Sequence, residues 1–212
     1  MSGTANRASI ITAAKRLDAA GFMPSKSGNL SVREGSGFLV TPAALPYAVL
    51  TEADIVRVGL DGSAAAEQRR PSSEWRLHAA IYAARPELRA IVHTHSPRAT
   101  ALSCARQGIP PFHYMVLSAG GPDIRCAAHA TFGTRALAEN CIRAMDGRRA
   151  VLLANHGVVA AGATLERAEI LAREVENLAG QYLSLLAAGL APVLLTPQDL
   201  EDAAAQFADY GR

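Results

Sequence analysis

The sequence predicts an α/β protein of three layers, a mostly antiparallel or mixed central sheet covered by helices on both faces. Three observations point there. Short alternating runs flank glycine turns, as at residues 30–33 and 38–41 around Glu34-Gly35-Ser36-Gly37, which is a hairpin pattern. Stretches with helical periodicity interleave with these runs, so each face of the sheet can receive helices. Across 212 residues, 50% are hydrophobic and 19% charged, which suits one core-bearing domain spanning 1–212 and not a disordered chain.

In chain order, a first helix over 6–20 turns Ile10, Ile11, Ala14 and Leu17 inward and stops at Gly21. The loop Pro24-Ser25-Lys26-Ser27-Gly28-Asn29 leads into the hairpin. A loop over 42–46 precedes a short turn near Thr51, a strand over 55–58, the Asp61-Gly62 turn and a polar loop to Arg70. Ser73 is placed to cap a helix from Glu74 to about Ala84, which breaks at Arg85-Pro86. A strand over 90–95 follows, and Ser96-Pro97 opens a helix ending at Gly108. Residues 113–117 and 124–126 are strand-like, 131–145 form a helix stopped by Gly147, and strands 150–154 and 158–161 flank a His156-Gly157 bend. The longest helix, 164–188, points Ile170, Leu171, Val175, Leu178, Tyr182 and Leu185 inward. Thr196-Pro197-Gln198-Asp199 caps a last helix to about Phe207, leaving the tail Asp209-Tyr210-Gly211-Arg212.

Composition excludes several classes of function. A net charge of +2, with no basic run and no interleaved aromatic patch, gives no nucleic-acid partner. No apolar segment approaches a membrane span. The first 17 residues carry Arg7, Lys15 and Arg16 and no acid, as transit peptides do, yet they read as the amphipathic helix the fold needs. Cys104, Cys126 and Cys141 lack metal spacing and read as reduced core residues of a cytoplasmic protein. Lys15 and Lys26 are the only lysines, one on an exposed helix pattern and one in a polar loop. Neither suits a desolvated Schiff-base amine, so carbonyl chemistry would run through a metal.

The candidate metal ligands begin with His93-Thr94-His95. Alternation on a strand sends both imidazoles to one face, where burial is unfavourable unless something bonds them. Glu74, in the first turn of the preceding helix, and His156, at the end of an apolar strand, complete three histidines and a carboxylate, a typical catalytic zinc set. His78 shares a helix face with Glu74 and is its rival, but reads as an ordinary half-buried histidine. His113 and His129 read as structural or exposed. Two clusters of anion-type donors, Ser72-Ser73 before a helix and Lys26-Ser27-Gly28-Asn29, suggest a phosphorylated or carboxylated substrate when combined with a metal. No P-loop is present.

Several of these stretches occur in the same order in the class II aldolase/adducin family, which the chain resembles over nearly its whole length. They are Ser27-Gly28-Asn29-Leu30-Ser31-Val32-Arg33, Thr41-Pro42, Pro71-Ser72-Ser73-Glu74-Trp75-Arg76, His93-Thr94-His95, Ile109-Pro110-Pro111-Phe112-His113-Tyr114-Met115, Ala130-Thr131-Phe132-Gly133-Thr134-Arg135 and Asn155-His156-Gly157. The resemblance implies one Zn2+ per subunit held by His93, His95 and His156, with Glu74 a fourth ligand that also serves as acid and base. It implies a homotetramer with sites at subunit interfaces, Tyr114 contributed by a neighbouring subunit, and Tyr210 on a mobile tail. Phosphate would be held by Gly28, Asn29, Ser72 and Ser73. The implied reaction is reversible cleavage of a ketose 1-phosphate, such as L-fuculose 1-phosphate, to dihydroxyacetone phosphate and an aldehyde. A 5-deoxypentulose or 5-methylthioribulose 1-phosphate shares the same reacting end. Relatives that epimerise, dehydrate or decarboxylate, and an adducin-like binding module, are the other readings. Two departures stand near the phosphate: Ala43-Ala44 where the family pattern resembles Thr-Gly, and Lys26 in place of a threonine. Ala44 still offers its N–H, and the Lys26 charge can offset the lost hydroxyl.

Overall fold

The computed structural model describes the backbone of residues 3–209 and the side chains of 6–207. Seven strands form its sheet: β1 (Asn29–Glu34), β2 (Gly37–Val40), β3 (Val56–Gly59), β4 (Ala90–Thr94), β5 (Cys126–Ala127), β6 (Ala150–Leu153) and β7 (Gly157–Gly162). Their order is β3-β2-β1-β4-β7-β6-β5, with every neighbouring pair antiparallel except β5 and β6. The mixed sheet is the one the alternating runs predict.

Among the described residues, six α-helices cover it: α1 (Gly3–Ala19), α2 (Trp75–Ala84), α3 (Pro97–Cys104), α4 (Arg135–Ala144), α5 (Leu165–Ala187) and α6 (Pro197–Asp209). Alternation along each strand feeds two cores. On one face Leu30, Leu39, Val92 and Val158 gather with Ile10 and Leu17 of α1, Leu102 of α3, and Val175 and Leu178 of α5. On the other, Phe38, Val40, Ile91 and Val159 meet Leu77, Ile81 and Tyr82 of α2 and Leu137 and Cys141 of α4. The period-2 pattern thus becomes three layers.

Local chemistry moves several boundaries. α2 starts at Trp75, with Glu74 at its N-cap, and Ser73 makes no capping bond; Ser72 Oγ accepts from the Glu74 amide instead, at 3.3 Å. Ser96 likewise makes no capping bond. The buried Glu176 carboxylate of α5 takes that place, accepting from the amides of Arg98 at 3.0 Å and Ala99 at 2.9 Å. α3 ends at Cys104, short of Gly108. Residues 114–119 form a 3-10 helix where the sequence predicts strand, because His113 satisfies that backbone locally: its Nδ1 accepts from Met115 N and its carbonyl from Val116 N. α4 begins at Arg135, where Thr134 Oγ1 accepts from Leu137 N, and residues 131–134 stay outside the helix. Ile170 faces out of α5 and is 59% exposed, not inward as its periodicity suggests. Of the cysteines, only Cys141 is buried; Cys104 is exposed and Cys126 intermediate. No described helix is long and apolar enough to cross a membrane.

Candidate metal centre and active-site cavity

β4 is central in the sheet, between β1 and β7. Its last residues carry His93 and, just beyond, His95 toward one end of the sheet, on the face that α2 covers. The antiparallel β6–β7 hairpin delivers the third histidine at its corner. Asn155 there adopts a left-handed conformation, with φ 57°, which asparagine tolerates better than most residues. Gly157 follows because a Cβ at that position would lie 2.4 Å from the Thr94 carbonyl oxygen. The three rings meet edge to face, with centroids 4.9–5.0 Å apart. Glu74, from the α2 N-cap, completes the group, and one ligand atom from each of the four residues lies within 4.8 Å of every other.

The donor set fits a divalent cation. His93 Nδ1 lies 2.9 Å from the Val158 carbonyl, which can only accept, so Nδ1 carries the proton and Nε2 of the neutral ring presents its lone pair. That Nε2 lies 3.1 Å from His95 Nε2 and 3.0 Å from Glu74 Oε2. His156 Nε2 approaches Glu74 Oε1 at 3.3 Å, yet Oε1 is buried without a hydrogen-bond partner. Three imidazole nitrogens and a buried carboxylate oxygen converging in this way suit zinc or a similar ion.

Electrostatics agrees with that fit at Glu74, His95 and His156, whereas the ion-free cluster favours a proton on His93. Burial pushes the Glu74 carboxyl up, but the charge and hydrogen bond of His93, then His156 and the Asn29 amide, outweigh it and hold the carboxyl well below its usual range. Burial, reinforced by the neighbouring imidazoles, lowers His95 to about 3 and His156 to about 4, so both rings are neutral near neutrality. Burial also opposes a charge on His93, but Glu74 outweighs it and raises that group.

A cavity of about 560 Å³ opens beside the cluster. Lys26, Gly28, Asn29, Ala44, Ser72 and Ser73 line it together with Glu74, His95 and His156. The structure therefore gathers the candidate phosphate residues and the candidate ligands into one site. Gly28 is required twice over: its φ is +78°, and a Cβ would sit 2.6 Å from the His93 carbonyl oxygen. Lys26 and Ala44 also have positive φ, 65° and 59°, without being glycine. Tyr47, which no motif singles out in the sequence, ties this loop down by donating to the Gly28 carbonyl at 2.7 Å. His129, Thr131, Phe132 and Asn155 also line the cavity; the motif stretches around Phe132, with its 63% exposed ring, and around His156 are the signals that could have found Thr131, Phe132 and Asn155.

One candidate is not brought to this cavity. Tyr114 is 49% exposed and lines a separate groove with Met115, Ala203, Gln206 and Phe207. Tyr210 lies outside the described residues. His78, expected half-buried, is fully buried and faces Asn29 instead of the ligand cluster.

A layered mixed sheet with three histidines and a carboxylate clustered on a cavity has the plan of a metal-dependent enzyme. The chain belongs to the class II aldolase and adducin family: the family model described as "Class II Aldolase and Adducin N-terminal domain" matches residues 8–183. It is a class II aldolase-type lyase. A relative from Rhodospirillum rubrum, a 5-methylthioribulose-1-phosphate/5-deoxyribulose-1-phosphate aldolase, is 46% identical over 97% of this chain and 92% of its own length. The L-fuculose phosphate aldolase of Escherichia coli K12 is 42% identical over 95% and 94%. A solved L-fuculose 1-phosphate aldolase superposes with a TM-score of 0.92 at 37% identity, covering 98% of each chain.

Proposed function

We propose that the protein reversibly cleaves a ketose 1-phosphate into dihydroxyacetone phosphate and an aldehyde, with zinc as the resident metal. One observation carries this reading: the donor residues suited to a phosphate and the cluster of three histidines with Glu74 line the same cavity. His93, His95 and His156, with Glu74, would hold the ion, which when bound supplies Lewis-acid polarisation of the substrate carbonyl.

The chain's own residues do the rest. Backbone N–H groups at Gly28 and Ala44, the hydroxyls of Ser72 and Ser73, and the exposed Lys26 ammonium anchor the phosphate and so fix the distance from C1 to the reacting carbons. Glu74, ionised at rest and buried at the cluster, takes up a proton from water and delivers it to C3 after the C3–C4 bond breaks, which returns the carboxylate to its resting state. The C4 hydroxyl proton passes to the Tyr114 oxygen of the partner subunit in a tetramer as that phenol releases its own proton to water; an exposed phenol away from its own chain's cavity supports that assignment. The complete ligand set argues against a non-catalytic, adducin-like role.

A second reading concerns only the aldehyde. The relative at 46% identity acts, by its name, on 5-methylthioribulose and 5-deoxyribulose 1-phosphates, and these differ from L-fuculose 1-phosphate beyond the reacting end. A panel of the three esters, with dihydroxyacetone phosphate release followed by a coupled reductase, ranks them. Cleavage of at least one is expected, lost on chelation and restored by added metal. Full activity in demetallated protein, or no release from any ester, sinks the proposal.

A further inference from the structure

We infer that His78 is a positioning residue for the Glu74 carboxylate, acting through the side chain of Asn29; the inference rests on the proposed proton-handling role of Glu74. Four side chains form a continuous buried line behind the cavity. Tyr82 OH lies 2.8 Å from Ser31 Oγ, Ser31 Oγ lies 2.6 Å from His78 Nδ1, His78 Nε2 meets Asn29 Oδ1, and Asn29 Nδ2 donates to Glu74 Oε2 at 2.9 Å. Ser31, His78, Tyr82 and Asn29 are 0%, 0%, 1% and 3% exposed.

Hydrogen-bond chemistry gives this line one direction. The ionised Glu74 carboxylate only accepts, so the Asn29 amide turns its NH2 toward it and its oxygen away. That oxygen needs a donor, so His78 holds its proton on Nε2. His78 Nδ1 is then an acceptor, Ser31 donates to it, and Tyr82 in turn donates to Ser31. Burial lowers His78 to about 3, so the ring remains neutral and can play donor and acceptor at once. Phe38 stacks on the imidazole at 16° between planes, which fixes the ring.

The geometry also explains why a histidine stands where an apolar side chain would fill the core. An asparagine amide has nearly the same shape in its two flipped orientations, and packing alone does not choose between them. In the wrong orientation, Asn29 Oδ1 would face Glu74 Oε2, acceptor against acceptor. A donor from His78 removes that alternative. Glu74 is thereby held by Oε2, leaving Oε1, which has no hydrogen-bond partner, available at the ligand cluster. Asn29 spends its oxygen and one N–H on this task, so at most one N–H remains for a phosphate.

The test compares His78→Leu, which fills space without a donor, with His78→Gln, whose amide NH2 can replace the imidazole Nε2–H. Both are measured beside Glu74→Gln, on whichever ester the wild type cleaves fastest. In His78→Leu, kcat is expected to fall about 10–100-fold, the usual effect of losing a residue that orients a ligand. KM and bound metal per chain should stay near wild type, and His78→Gln should recover most of the loss. Nitrogen-15 NMR of the histidine-labelled protein gives a readout independent of turnover, and His78 is expected as the Nε2–H tautomer. An Nδ1–H tautomer, an unchanged kcat in folded, metal-loaded His78→Leu, or a His78→Gln variant as impaired as His78→Leu overturns the inference. Should His78→Leu fail to fold, Ser31→Ala decides. Losing the donor to Nδ1 should lower kcat in the same direction, and an unchanged kcat counts against positioning. Full turnover in Glu74→Gln would instead refute the role of Glu74 on which the inference stands.

Discussion

The state of one buried imidazole is measurable without substrate. His78 titrates near 6.5 in an unfolded chain but is lowered to about 3 in the fold, by burial first and by nearby His93 second. Between those values the unfolded chain holds a proton that the native protein does not. Stability therefore falls as pH drops through that window, by up to about 1.4 kcal/mol per pH unit. In chelated protein, the urea midpoint of His78→Gln should decline less steeply below pH 6.5 than that of wild type. The other titrating groups are common to both proteins, so identical slopes would mean that His78 is not held neutral. From sequence alone His78 reads as a rival ligand or a half-buried bystander. Spacing along a helix says which residues share a face, but not that Asn29 and Ser31 of a remote strand will stand opposite.

At the scale of elements, the most legible parts are those whose own periodicity fixes them. His93 and His95 fall on one face because a strand has period two, and β6 and β7 flank His156 because apolar runs break there at Asn-His-Gly. The parts that sequence misplaces depend on partners remote in the chain. The N-terminus of α3, which follows directly on the His-bearing strand, looks self-capped by Ser96, but a carboxylate 77 or 78 residues away binds its amides. Glu176→Ala should then cost about 0.5–2 kcal/mol, the range for loss of a helix cap, read as a lower urea midpoint. A Ser96→Ala variant should be far milder, because Ser96 Oγ has no hydrogen-bond partner. Equal effects would reverse the capping assignment. The stretch around Tyr114 looks like strand because aromatic and β-branched residues cluster there, but a local histidine bond gives its backbone an alternative to a sheet.

For the whole molecule, an exposed Tyr114 beside Phe207, with ring centroids 5.9 Å apart, stands away from the cavity it is proposed to serve. If it acts from a neighbouring subunit, two inactive proteins can repair each other. Glu74→Gln and Tyr114→Phe, dissociated together and reassembled, should regain more activity than either parent, because some sites then combine an intact Glu74 with an intact Tyr114. No gain from demonstrably mixed oligomers would place Tyr114 outside the reaction. The motif order makes this residue visible in the sequence; a single chain's geometry leaves its destination to the assembly.

The register of the central strands has a consequence for how the chain matures. Asn29 pairs with His93, and His93 with Val159, across β1, β4 and β7. A slip of β4 by a single residue would turn His93, with His95 just beyond it, to the opposite face and bring Val92 and Thr94 toward the cavity. An ion that binds only the complete cluster stabilises the correct register and no other, to a degree set by its concentration relative to its dissociation constant. Metal uptake would then act as a proofreading step, trapping chains whose central strands have aligned and leaving the misaligned ones free to reopen.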